Sequence, residues 1–233
     1  MSGDSKILAA LAADGIAKQK LHVIMIVDTS RSMQGERIGQ VNSAIADIHK
    51  YLVDLQSENT NVDFYISIMT FAAEAEGAPE TIQEAHKLGI AASLGHHLAN
   101  SEQIAAAGAD CLTHLGNGIP NMIHRHHNAI WSGLANDSLT ALIITDGHHL
   151  PAEVIKCMIR VKGPDRIVVT SDASPAAGLP PGRYHVLGND AILEENGKLH
   201  NPVKQCLVGS AMLMPRCIEF LRSLDLLSEA ELE

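Results

Sequence analysis

Apolar positions fall in short unbroken runs separated by polar segments with a helical period, and that alternation predicts an α/β chain whose strands are parallel and covered on both faces. Strand-length runs stand at Leu21 to Val27, Phe64 to Phe71, Ile90 to Leu94, Cys111 to Leu112, Leu139 to Ile144 and Ile167 to Val169. Between the first two, Ile38, Val41, Ile45, Ile48, Leu52 and Leu55 recur at helical spacing, so a helix over residues 36–55 should lay one stripe on the sheet. The βαβ unit so formed is expected to be right-handed and parallel. Further helices are expected over residues 81–88, over 101–107 with Ser101 as N-cap, over 151–161 with Pro151 in the first turn, and over 212–227. Past Asp172 the pattern loosens into a loop over 176–182 and a hairpin from Tyr184 to Leu199 turning at Glu195-Asn196-Gly197, and the acidic end should fray. The run Ile7 to Ala13, flanked by Asp4 and Asp14, reads as an N-terminal amphipathic helix too short to cross a bilayer.

A length of 233 residues suits one large α/β domain or two small ones. The formal charge of −10, with no long basic run, argues against nucleic acid or an anionic membrane as the main partner. Cys111, Cys157, Cys206 and Cys217 are scattered without CxxC spacing, which points to a reducing compartment and a cytoplasmic protein.

Eight of the thirteen histidines lie between Gly95 and Asp172. They form the runs Gly95-His96-His97, Thr113-His114-Leu115-Gly116-Asn117-Gly118, His124-Arg125-His126-His127 and Asp146-Gly147-His148-His149, and Thr170-Ser171-Asp172-Ala173 closes the series. All but the third follow a predicted strand, so polar groups collect at strand C-terminal ends, where α/β sheets build their sites. His97, His124, His126, His127 and His148 are expected to be ordinary solvated loop residues. The chain changes from histidine-poor to histidine-rich across the polar stretch Glu74 to Pro79, which reads as a joint.

From about Ala85 to Leu224 the ordered motifs resemble the second half of the barrel of N-acetylglucosamine-6-phosphate deacetylases, members of the amidohydrolase superfamily. They include Gly95-His96, Thr113 to Asn117, Arg125, Asp146 to His149, Lys162-Gly163-Pro164-Asp165-Arg166, Thr170 to Ala173 and Val208-Gly209-Ser210-Ala211. The resemblance implies that His96 and His114 bind a divalent metal, Zn²⁺ or Fe²⁺, and that Asp172 is the general base for the attacking water. It further implies that His149 contacts the substrate carbonyl or hydroxyls, while Asn117, the Gly118 backbone and Arg125 hold the phosphate of an amino sugar.

Residues 20–75 resemble the opening of a von Willebrand factor A domain through Asp28-Thr29-Ser30-Arg31-Ser32 after an apolar strand. That resemblance implies Mg²⁺ at the hard oxygens of Asp28, Ser30 and Ser32, with Thr113 and Asp146 completing the site and a protein carboxylate as the partner's contribution. The structural alternative is that Asp28 and the serines cap the following helix.

The combined expectation is a composite: a Rossmann-like von Willebrand A-type βαβ segment over 1–80 and a partial TIM-barrel-like half over 81–233, packed as one α/β domain. The alternative is a single open, doubly wound sheet. The deacetylase family's glutamate ligand has no counterpart motif before residue 85, and without it two imidazoles and a carboxylate should hold an ion weakly, leaving activity in question. Glu74, Glu76 and Asp28 are the acidic candidates to replace it, Asp28 first. Six strands cannot repeat an eight-strand closure, so the sheet should stay open or be completed in a homodimer.

Overall fold

The computed structural model describes residues 19–28, 36–58, 62–71 and 78–232. Six strands make one parallel sheet: β1 (Gln19–Asp28), β2 (Val62–Phe71), β3 (Ala91–Gly95), β4 (Cys111–Leu112), β5 (Thr140–Ile144) and β6 (Ile167–Thr170). All six predicted runs are strands. Their order in the sheet is their order in sequence, which corrects the doubly wound alternative: such a sheet needs a point where strand order reverses. Among the described residues β1 and β6 each have one neighbour, so the sheet is not a closed barrel.

The connections carry α1 (Glu36–Glu58), α2 (Ala78–Lys87), α3 (Ser101–Ala107), α4 (Ala129–Leu134) and α5 (Ala152–Lys162). Right-handed crossovers that always step the same way leave their helices on one face of the sheet. The main core shows this, since Ile82 of α2, Ile104 of α3, Leu134 of α4 and Ile155, Met158 and Ile159 of α5 pack in one cluster with Ala92, Leu94, Ala141 and Ile143 from the strands. The spacing of Ile155, Met158 and Ile159 is the inward stripe of an amphipathic helix.

The chain then forms a second, antiparallel sheet in the order β10-β9-β8-β7, from β7 (Gly182–Val186), β8 (Asn189–Leu193), β9 (Leu199–Asn201) and β10 (Cys206–Leu207). The expected turn at Asn196-Gly197 joins β8 to β9, but an earlier turn at Leu187-Gly188 splits the single predicted hairpin in two. Leu187 and Gly188 both have positive φ, 50° and 69°, as the tight turn of a two-residue hairpin demands. Beyond the sheet, α6 (Met214–Ser223) is shorter than expected, and α7 (Glu229–Leu232) forms where fraying was expected, with Glu229 paired to Arg222 at 2.7 Å.

Other boundaries shift for local reasons. Asn100, not Ser101, caps α3: its side chain accepts from Gln103 N while Gln103 Oε1 accepts from Asn100 N, both at 2.9 Å. Helix α4, absent from the sequence reading, starts on an Asn128 side chain that accepts from Ile130 N and Trp131 N. Pairing of β2 with β3 carries the sheet across the expected joint, and Pro79 sits in the first turn of α2, where a missing N–H costs nothing. The expected N-terminal helix and Ser30, Ser32, Glu74 and Glu76 lie outside the described residues.

Candidate active site

The C-terminal ends of the parallel strands and the edge of the small sheet enclose a cavity of about 560 Å³. His96, His114, Asn117, Gly118, His149 and Asp172 line one side, and Lys204, Gln205, Cys206 and Leu207 line the other. Each of the first six follows β3, β4, β5 or β6, so one end of one sheet delivers them all. The two walls are tied together behind the cavity, where Ser210 N donates to Asp172 O and Ser174 N donates to Ser210 O, both at 2.8 Å.

His96 and His114 face one another, with Nε2 atoms 3.0 Å apart and rings nearly perpendicular at 87°. Gly118, at φ +67°, lies against the His96 ring so closely that a Cβ there would be 2.6 Å from Nδ1. Burial lowers the pKa of His114, and the neighbouring His96 lowers it further. A neutral imidazole is the form that ligates a metal. Zn–N bonds of about 2.0–2.1 Å at a tetrahedral angle separate two nitrogens by roughly 3.3 Å, so this pair already stands near ligating distance. Among the described residues, no three His, Cys, Asp or Glu side chains converge on one point. The pair therefore fits two positions of a divalent ion, and among the described residues a three-ligand hydrolytic site is not completed.

His149 and Asp172 face each other across the same cavity, with His149 Nε2 4.0 Å from Asp172 Oδ2. Behind His149, Asp146 Oδ2 lies 2.7 Å from its Nδ1. Burial pushes the Asp146 carboxyl up, but hydrogen bonds from His149 and His148 outweigh it and hold the group well below the usual carboxylate range. Asn117 Nδ2 is buried without a partner among the described residues, which leaves a donor for a ligand.

The remaining expected residues stand apart. Arg125 is exposed on the loop between β4 and α4 and is not in the cavity lining; its carbonyl accepts from Trp131 Nε1 at 2.8 Å. Thr113 is engaged with Ser93 Oγ at 2.7 Å, and the Asp146 carboxylate is occupied by His148, His149 and Ser210. Neither is free to complete an adhesion-type ion site. Asp28 ends β1 in register with Phe71, which is itself in register with Gly95. The sequence reading gave Ser210 no role although its motif was noted, and it missed the small-sheet wall of the cavity, because a contact between distant segments leaves no periodic trace.

No protein-family model matches the chain. It is 31% identical over 170 residues to an N-acetylgalactosamine-6-phosphate deacetylase of Escherichia coli O157:H7, covering 71% of this chain and 44% of that one. A shorter Escherichia coli K12 protein that carries the same name provisionally is 30% identical over 119 residues, covering 51% of this chain and 69% of its own length. The crystal structure of the Thermotoga maritima N-acetylglucosamine-6-phosphate deacetylase matches with a TM-score of 0.68 at 20% identity, over 98% of this chain and 69% of that chain. This chain thus spans less than half of the first relative, and the fold match runs through the segment expected to be adhesion-type, whose separate origin finds no support. No helix among the described residues is long and apolar enough to cross a membrane.

Proposed function

Because the chain belongs to the amino-sugar-phosphate deacetylase family, we propose that it hydrolyses the acetamide of an N-acetylhexosamine 6-phosphate with the help of a divalent metal, Zn²⁺ or Fe²⁺. The observation that carries the reading is the convergence of the His96–His114 pair and the His149–Asp172 pair on one cavity. A volume of about 560 Å³ is also in the range that small-molecule sites occupy.

In this reading His96 and His114 hold the ion, which when bound makes water a better nucleophile and polarises the amide carbonyl. Asp28 stands at the same sheet end and is the acidic residue to test as a third ligand. Asp172 takes a proton from the attacking water and returns it to the amine nitrogen as the C–N bond breaks. His149 Nε2 accepts from a sugar hydroxyl. Asn117 and the Gly118 backbone hold the phosphate, and Arg125, outside the lining on its exposed loop, is the cation to test as their partner. The described parts of residues 1–80 and 81–233 work as one packed unit, since the binding groups come from a sheet to which both contribute strands.

The test is deacetylation of N-acetylglucosamine 6-phosphate and N-acetylgalactosamine 6-phosphate by the full chain with added Zn²⁺. Asp172→Asn should lower turnover by about 100-fold or more, and His114→Ala should weaken zinc uptake relative to the parent protein. An Asp172→Asn protein as fast as the parent, or zinc uptake indifferent to His114, would sink the assignment.

A further inference from the structure

His149 turns one ring nitrogen to a buried carboxylate and the other to the cavity. Asp146 Oδ1 accepts from the backbone N–H groups of His148 and His149 at 2.8 and 2.9 Å. Its Oδ2 meets His149 Nδ1 at 2.7 Å and accepts from Ser210 Oγ at 2.8 Å. An ionised carboxylate can only accept, so the proton between Asp146 and His149 belongs to Nδ1. In the neutral ring Nε2 is then bare, and it is the nitrogen that faces Asp172.

Ser210 is 1% exposed and reaches this assembly from the small-sheet side. Its Oγ donates to Asp146 and accepts from Met212 N at 3.0 Å, so the hydroxyl has one orientation that satisfies both contacts. Its backbone N–H donates to Asp172 O at 2.8 Å. A single buried serine thereby touches the carboxylate behind His149 and the main chain of Asp172, the two groups that face one another across the cavity.

We infer that Ser210 and Asp146 are positioning residues: Asp146 sets the His149 tautomer with Nδ1 protonated and Nε2 bare, and Ser210 locks Asp146 and Asp172 into register with one another. Neither residue touches substrate. A packing role alone would leave the tautomer of His149 to chance, whereas the hydrogen-bond chain fixes it. The activity arm of the test rests on the deacetylase reading; the spectroscopic arm does not.

Long-range ¹H–¹⁵N spectra of the full chain, with His149 assigned by difference against His149→Gln, should show a protonated Nδ1 and a bare Nε2. Asp146→Asn, whose amide can donate to Nδ1, should move the proton toward Nε2. Ser210→Ala, a smaller change that keeps the fold, should cut kcat by about 10–100-fold with KM nearly unchanged. Ser210→Thr, which retains the hydroxyl, should recover most of that loss. The inference is overturned by a bare Nδ1 in the parent protein, by an Asp146→Asn spectrum with the tautomer unmoved, or by Ser210→Ala with parental kcat. If neither sugar phosphate is deacetylated at all, the functional reading falls, and the spectra still decide the tautomer.

Discussion

Four residues that line the cavity hold backbone conformations that side chains with a Cβ rarely adopt: His96, His114, Asp172 and Gln205, with φ of 51°, 33°, 49° and 52°. The left-handed region costs an L-residue about 1–2 kcal/mol. Such strain persists where the surroundings over-determine it, and it gathers at functional sites. His96, His114 and Asp172 each follow a parallel strand, so the chain bends back sharply at the rim of that sheet. The strain predicts a difference between two truncations of the same side chain. Asp172→Gly and Asp172→Ala both remove the carboxylate, but glycine is at home at this φ and should leave the protein about 1 kcal/mol more stable than alanine. Equal midpoints in urea would show that position 172 is unstrained. The motifs made His96, His114 and Asp172 legible in the sequence, yet no glycine marks their conformation, and the grip of Ser210 on Asp146 joins residues that only the folded chain brings together.

Strands are the elements the sequence announces most clearly, because continuous apolarity is hard to place anywhere but a covered sheet. Their order is not written in that pattern: a sequential sheet and a reversed one bury the same runs, which is why the sequence leaves a doubly wound sheet open as the alternative, and the line of β1 to β6 excludes it. Short elements held by a few polar contacts are the hardest to read. Helix α4 is six residues long and rests on the Asn128 cap, and the Leu187-Gly188 turn places a leucine where asparagine or glycine is usual. Helix α3 offers a measurable case of the same physics. The Asn100–Gln103 box satisfies two groups that would otherwise lack partners at the helix start, so Asn100→Ala should cost about 1 kcal/mol. Ser101→Ala, at the residue first expected to be the cap, should cost far less by thermal or urea unfolding, and the reverse ranking would reject this assignment.

At the scale of the whole molecule, the site depends on two sheets meeting rather than on the parallel sheet alone. The strand ends bring the imidazoles and Asp172, but Lys204, Gln205, Cys206 and Leu207 close the space opposite them. The bridge between Ala173 and Ser210 sets how far apart the walls stand. Cys206 makes this geometry testable, because it is exposed and lines the cavity, while Cys217 is buried and its thiol is pushed up to about 11 by burial and then by Asp146. A bulky maleimide should therefore react at Cys206 and at the other exposed thiol, Cys157, well before Cys217. Modification at Cys206 should block the cavity and weaken binding of an N-acetylhexosamine 6-phosphate by at least about tenfold, a loss of roughly 1.4 kcal/mol. Cys206→Ser should bind like the parent and become indifferent to the reagent, whereas Cys157→Ser should remain sensitive. If the labelled parent binds as well as the unlabelled one, the small sheet is not a wall of the binding site, and ligand enters by some other face of the strand ends.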